Sequence, residues 1–344
     1  MFDSLIGNDQ IKTTLRRLLA SGRVPNSLLF AGDEGVGKRQ FALELAAAIV
    51  CTSPVDAEAC DKCSACRRTR NFALPNSEKG DDYDRVFFSE HPDVGTVVPF
   101  KRNLRVKAIR DLEREANFKP FEARARFFIV DAADRMNDAA ANALLKTLEE
   151  PATTSHIFLI TSRPDSLLAT IHSRCQTLRF APVPTNQIES YLTDVGDYPT
   201  EKAALIARLA HGSIGRALAM DIDKLRIARE RMLRVLEAAI LNNDVASLLG
   251  TSDEMNDAKN KDNFDESIEI LQTLIRDVWL IKLGKEKASV INLDVASQLE
   301  TLASGAPAKR LADAIYAIET LRANMAVNIN RKVATDALFV SMAA

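Results

Sequence analysis

Four of the five cysteines, Cys51, Cys60, Cys63 and Cys66, follow one another as C-x8-C-x2-C-x2-C. Two overlapping C-x2-C steps let backbone turns aim thiolates at one point, and four thiolates make a closed tetrahedral Zn²⁺ site with no position for substrate. The segment therefore reads as a structural zinc module, 51–66, that staples a stretch of chain without a core of its own. A redox C-x-x-C pair and plain free thiols are the competing readings. Arg67, Arg68 and Arg70 follow the module and either contact nucleic acid or solvate it.

A second constellation is Gly32-Asp33-Glu34-Gly35-Val36-Gly37-Lys38-Arg39. The pattern G-x-x-x-x-G-K is complete: its glycines let backbone N–H groups close around phosphates and its lysine reaches the terminal ones. A hydroxyl that would ligate Mg²⁺ should come next. Arg39 stands there instead, and a guanidinium has no acceptor atom. The acidic partner is expected at the end of another strand, and Arg126-Phe127-Phe128-Ile129-Val130-Asp131 supplies Asp131. The neighbouring position, where a carboxylate would polarise the attacking water, is Ala132. Asp134 is either a substitute for it or a residue that caps and solvates the next turn. The two defects together predict no hydrolysis at this site; binding of ATP with Mg²⁺ stays open.

The elements around these residues alternate. Apolar runs predict strands at 27–31, 85–89, 94–98, 126–130, 156–161 and 176–180, with Gly95 weakening the third. Helical patterns fall at 39–50, 104–117 and 138–150, the last stopped by Pro151. Buried strands alternating with helices imply a parallel sheet covered on both faces. Pro182-Val183-Pro184 reads as a linker. Short helices follow at 186–192, 201–210 and 215–220, then long amphipathic ones, with a polar loop at 256–263. Stripes such as Ile268, Leu271, Leu274 and Ile275 read as core.

With 344 residues, 47% hydrophobic and 27% charged, the chain is ordinary globular material for two to three domains. Forty-five Lys and Arg against 47 Asp and Glu leave a net charge of −2, which does not suggest a whole-molecule polyanion binder. No apolar run approaches the ~20 residues of a membrane helix. The opening Met-Phe-Asp-Ser has no basic segment leading into an apolar core, so no signal peptide is expected. A cytoplasmic protein with no membrane partner is the expectation. His91-Pro92-Asp93 reads as a turn without chemistry, and His156 and His172 as packing or surface residues.

The helix Ala139-Ala-Ala-Asn-Ala-Leu-Leu-Lys-Thr-Leu-Glu-Glu-Pro151, the strand Phe158-Leu-Ile-Thr161, the tripeptide Ser173-Arg174-Cys175 and the cysteine module together resemble the delta-prime family of bacterial DNA polymerase III clamp-loader subunits, in the AAA+ ATPase superfamily. The resemblance is specific over 1–220; beyond that it rests on length and helical pattern. It implies an AAA+ P-loop-like domain at 1–181, a small helical lid domain at 182–221 and a helical collar domain at 222–344. It implies a heteropentamer with gamma/tau-type ATPase subunits and a delta subunit, which places a sliding clamp on primed DNA. It makes Arg174 an arginine finger reaching a neighbour's ATP, Thr161 a sensor and Arg216 a second sensor. From the residues alone, Arg174 is a surface arginine with a carboxylate partner, and Arg216 an interface ion-pair member. The hydrolysing sibling keeps a hydroxyl where Arg39 stands and a carboxylate where Ala132 stands. That departure favours a non-hydrolysing ring member; the alternative is an active ATPase using Lys38, Asp131 and Asp134. A single-strand DNA reader is a weaker third reading: aromatics are 6%, and the basic segment 101–126 is interleaved with acids.

Overall fold

The computed structural model describes residues 1–257, 263–285, 290–325 and 330–343. The five predicted parallel strands form, as β1 (Ser27–Ala31), β3 (Val94–Val97), β4 (Arg126–Val130), β5 (Ser155–Thr161) and β6 (Gln176–Arg179). The sixth, β2, keeps only Phe87–Phe88 and pairs antiparallel with β3. The sheet order is β2-β3-β4-β5-β1-β6. Two features follow from that order. Loop 32–37 leaves the C-terminal end of β1, and Asp131 leaves the same end of β4 two strands away. Between them lies β5, ending at Thr161.

The strands β1, β3, β4 and β5 are buried on both faces, β6 at the sheet edge is not, and alternate residues feed two cores. Leu28, Phe30, Phe127, Ile129, Phe158 and Ile160 join one with Phe41 and Phe180. Leu29, Phe128, Val130, Ile157 and Leu159 join the other with Ile109, Leu112 and Leu144. The first core is covered by α1 (Asp9–Ser21) and α2 (Lys38–Val50), where the ring of Phe41 meets Phe180 edge-on at 5.1 Å. The second is covered by α4 (Val106–Ala116) and α5 (Asp138–Glu149). The short α3 (Ser64–Thr69) lies within the cysteine-rich stretch. Asn137 caps α5 by accepting the backbone N–H of Ala140 at 2.9 Å, and Pro151 follows its end.

After β5 come α6 (Ala169–His172), α7 (Thr185–Asp194), α8 (Thr200–Leu209) and α9 (Ile214–Ala219). The remaining described residues carry α10 (Ile222–Glu237), α11 (Val245–Asn256), α12 (Phe264–Lys282), α13 (Ala296–Gly305), α14 (Ala308–Met325) and α15 (Arg331–Ala343). No strand follows β6 among the described residues. The chain divides into two compact units, one holding Met1–Ala203 with Ala210–Leu218, the other Ala204–Leu209 with everything from Ala219 onward. Within the second unit α11 packs on α15, and α12 lies against α10, α13 and α14. Ile268, Leu271, Leu274 and Ile275 are buried there, as core residues. Of the polar stretch expected as a loop, 258–262 lie outside the described residues; Asn256 closes α11 and Asn263 precedes α12.

The His91-Pro92-Asp93 turn carries a larger structural load than its sequence suggested. Asp93 is fully buried and accepts the backbone N–H groups of Phe121 (2.7 Å), Glu122 (2.8 Å) and Ala123 (2.8 Å). The buried Arg126 guanidinium lies 3.7 Å from it and bonds Glu115 O at 2.7 Å. His156 stacks on Phe127 at 5.0 Å, a packing role. Removing one member of a buried charge set strands the others. Asp93→Ala is expected to lower unfolding stability by about 3–5 kcal/mol in urea titrations, with Asp93→Asn losing less.

Candidate functional site: a P-loop closed by its own charges

The loop between β1 and α2 is held from two sides. Gly32 (φ +151°) sits where an added Cβ would lie 2.5 Å from Phe180 O, so no side chain fits. Gly35 (φ +76°) would place a Cβ 2.1 Å from Ser213 Oγ. Its carbonyl accepts the N–H of Gly215 at 2.9 Å, which ties the loop to the first turn of α9. A cavity of about 320 Å³ opens beside the loop, lined among others by Gly35, Gly37, Lys38, Asp131, Thr161 and Gly215.

The central charged groups of that cavity, Lys38, Arg39, Asp131 and Asp134, are engaged within the chain. Lys38 is buried, and its ammonium donates to the loop's own carbonyls, Gly32 O at 2.6 Å and Asp33 O at 2.5 Å. Burial pulls its pKa below the usual lysine value, against the pull of Asp33, Glu34 and Asp131. Arg39 Nη1 donates to Asp131 Oδ2 at 2.7 Å. The residue that replaced the metal-ligating hydroxyl has thus taken the acidic partner for itself. These residues do not fit an Mg²⁺ ion: one expected ligand is absent, and a cation already occupies the other. Ala132, at the water-polarising position, is left-handed (φ +49°) and carries no polar group.

Asp134 neither solvates the turn nor points to water. Its side chain is 3% exposed. Oδ1 accepts the Thr161 hydroxyl at 2.9 Å and the Ser162 N–H at 3.3 Å; Oδ2 accepts Arg163 Nη2 at 2.9 Å and Nε at 3.1 Å. Burial raises its pKa, but the bonds from Thr161 and Arg163 outweigh burial and hold it below the ordinary carboxylate range. The Thr161 hydroxyl, the sensor position of the family resemblance, donates to Asp134. Arg216 lies apart from Lys38 and Asp131. It lines an adjoining cavity of about 590 Å³ with Asp33, Glu34 and His211. Its N–H bonds Ser213 Oγ at 3.1 Å.

Arg174 stands outside both cavities, after α6. It has the carboxylate partner that the residues alone suggested: Nη2 lies 2.6 Å from Glu149 Oε1. Nothing in the sequence pattern singled out Glu149, although it belongs to the helix that carries the family resemblance.

The four cysteines meet. Their sulfurs all lie within 4.8 Å of one another, with Cys51 Sγ and Cys63 Sγ 3.9 Å apart. A tetrahedral site with metal–sulfur bonds of ~2.3 Å has sulfur–sulfur edges of about 3.8 Å. Backbone N–H groups point at the sulfurs in sequence: Cys60 at Cys51 (3.4 Å), Cys63 at Cys60 (3.3 Å), Cys66 at Cys63 (3.4 Å). Such bonds favour thiolate. Burial opposes ionisation of Cys63, yet the bonds from Cys66 and Thr52 bring its thiol down to about 5. The cluster could hold a metal ion. Two of the three following arginines, though partly exposed, pair with carboxylates. Arg68 pairs with Glu122 at 2.6 Å, and Arg70 with Asp61 at 2.8 Å and with buried Glu44 on α2.

Comparison with known proteins fits this geometry. The family model described as "DNA polymerase III, delta subunit" matches residues 7–184, and its C-terminal counterpart matches 224–338. The chain belongs to the DNA polymerase III delta subunit family. It is 27% identical to the DNA polymerase III subunit delta' of Bacillus subtilis over 93% of this chain and 92% of that protein. The Escherichia coli delta' subunit is 29% identical over 88% of this chain and 84% of its own length. The tau subunit of Bacillus subtilis is 27% identical over 84% of this chain but only 48% of its own. The fold expected from the sequence, a parallel-sheet domain carrying a cysteine module and followed by helices, is the fold described above. Among the described residues no helix is long and apolar enough to cross a membrane.

Because Asp134 is held ionised in the folded state, it stabilises the protein above the unfolded carboxylate pKa of about 4. That stabilisation is lost as pH falls through the lower folded value. Asp134→Asn is expected to cost about 1–2 kcal/mol at neutral pH. The gap from the native chain should close in acid, as read from unfolding curves across pH 3–7.

Proposed function

We propose that this chain is a non-hydrolysing ring subunit of a DNA polymerase III clamp loader, assembling with gamma/tau-type ATPase subunits and a delta subunit to place a sliding clamp on primed DNA. The observation that carries this reading is the Arg39–Asp131 ion pair. It leaves the chain's own P-loop without a metal position, while family membership supports a place in the ring. In this reading Arg174 acts in trans. Its guanidinium offsets the charge that develops on the γ-phosphate of ATP held by an adjacent subunit, a contribution worth ~10³–10⁵ in rate where fingers have been removed. Residues 182–221 act as the lid and 222–344 as the collar. Lys38, Thr161 and Arg216 keep family positions without the chemistry. The site of action is the cytoplasm, where the replication machinery works.

Steady-state ATP hydrolysis by the reconstituted loader, with clamp and primed DNA, separates this reading from an active ATPase. Arg174→Ala is expected to remove most of the turnover that depends on the adjacent site, and Lys38→Ala to leave turnover within about twofold. Loss with Lys38→Ala and none with Arg174→Ala would mean that the chain runs its own site.

The metal we assign to the cysteine cluster is Zn²⁺, in a structural role. Four thiolates leave no open position for substrate, and Cys66 packs into a small core with Ala47, Ala48 and Ala59. Elemental analysis should find about one zinc per chain. Cys63→Ser should lose most of it and unfold at lower temperature. Full metal-free stability in the native chain would refute the assignment.

A further inference from the structure

The arginine proposed to act in trans is held in place within its own chain. Its Nη1 donates to Thr170 O at 2.9 Å and to Ser173 Oγ at 3.1 Å, both from the turn it closes. Its Nη2 lies 2.6 Å from Glu149 Oε1 on the last residue of α5. The next residue, Cys175, is buried with the core between α5 and the sheet, so the backbone at this point is anchored. Two hydrogen-bond acceptors from the turn and one carboxylate in ion-pair contact from α5 thus meet the two terminal nitrogens. A guanidinium has five donors in a rigid fork. Among the described residues Nε of Arg174 makes no hydrogen bond. The edge that remains, Nε with one N–H of Nη2, is the pair that a phosphate accepts side-on.

We propose that Glu149 is a positioning residue for Arg174, holding the guanidinium against the α6 turn so that its Nε edge is presented to a phosphate group. The inference rests on the trans-acting reading of Arg174 given above. Both side chains are part-exposed, 31% for Arg174 and 48% for Glu149, so the pair contributes little to stability. Its effect lies in orientation. Without Glu149 the guanidinium keeps its turn contacts but loses the ion-pair partner that holds its fork in place. A misplaced reacting group costs rate without costing substrate binding.

The test is ATP turnover by the full loader with clamp and primed DNA, comparing Glu149→Ala, Glu149→Gln, Arg174→Ala and the double variant Glu149→Ala/Arg174→Ala. Glu149→Ala is expected to lower kcat about 10-fold with KM for ATP unchanged and the melting temperature unmoved. Glu149→Gln, which keeps an acceptor oxygen at the same reach, should recover most of the rate. In the Arg174→Ala background Glu149→Ala should change nothing further. An equal loss in that background, or no loss while Arg174→Ala is slow, would overturn the inference. A rate unmoved by Arg174→Ala would remove the trans-acting reading itself and this inference with it.

Discussion

A single ion pair decides what the P-loop domain can do. Arg39 and Asp131 sit 92 positions apart in sequence, and the sheet brings them to 2.7 Å because β1 and β4 run parallel and end on the same edge of the sheet with one strand between them. In an ATPase with this architecture, the position after the loop lysine and the acid at the strand end share a divalent cation. Here the first of those positions supplies a cation of its own. The remaining groups settle around that exchange. Lys38 turns back to Gly32 O and Asp33 O, Thr161 bonds Asp134, and Gly215 ties down Gly35.

The result is a site in which Lys38, Arg39, Asp131 and Asp134 are partnered within the chain. Buried or half-buried ionic groups are tolerated when each finds a partner, and each member lost leaves another stranded. The same logic recurs elsewhere. Asp93 gathers three backbone N–H groups and lies beside Arg126 at the opposite end of the sheet. Glu44 on α2 takes Arg70 from the cysteine module. In the second unit, buried Asp277 accepts the N–H groups of Ile291 and Asn292. These contacts hold loops to the layers that the hydrophobic cores build.

Much of this was legible in the residues. The five parallel strands read from the sequence fell within a residue of the observed bounds, and for β1, β3, β4 and β5 the reason is burial on both faces, which demands largely apolar runs. The cysteine spacing foretold a four-sulfur cluster because short C-x2-C turns converge whatever surrounds them. Other features were not legible, for tertiary reasons. Arg39 could be read as unable to ligate a cation, but its salt bridge to Asp131 depends on strand order. Asp134 looked like a turn residue because its partner, Thr161, belongs to a different strand. Asp93 looked inert because its three partners are backbone groups, which leave no trace in side-chain identity. The helices α1 and α3 escaped notice: α3 is short and sits among metal-ligand residues, and α1 precedes the first apolar run. Strand β2 was overestimated, since only two of its residues find partners on β3.

In the native chain Arg39 pairs with the carboxylate that would hold a metal in the P-loop. The most direct test of what this pair does is calorimetric titration of the isolated chain with ATP, in Mg²⁺ and then in excess chelator, for the native protein and for Arg39→Thr. Mg²⁺ is expected to leave the native chain's affinity for ATP unchanged, and Arg39→Thr to introduce a dependence on Mg²⁺. Binding by the native chain that tightens tenfold or more with Mg²⁺ would contradict this, because Asp131 would then be free to serve a cation other than the guanidinium beside it.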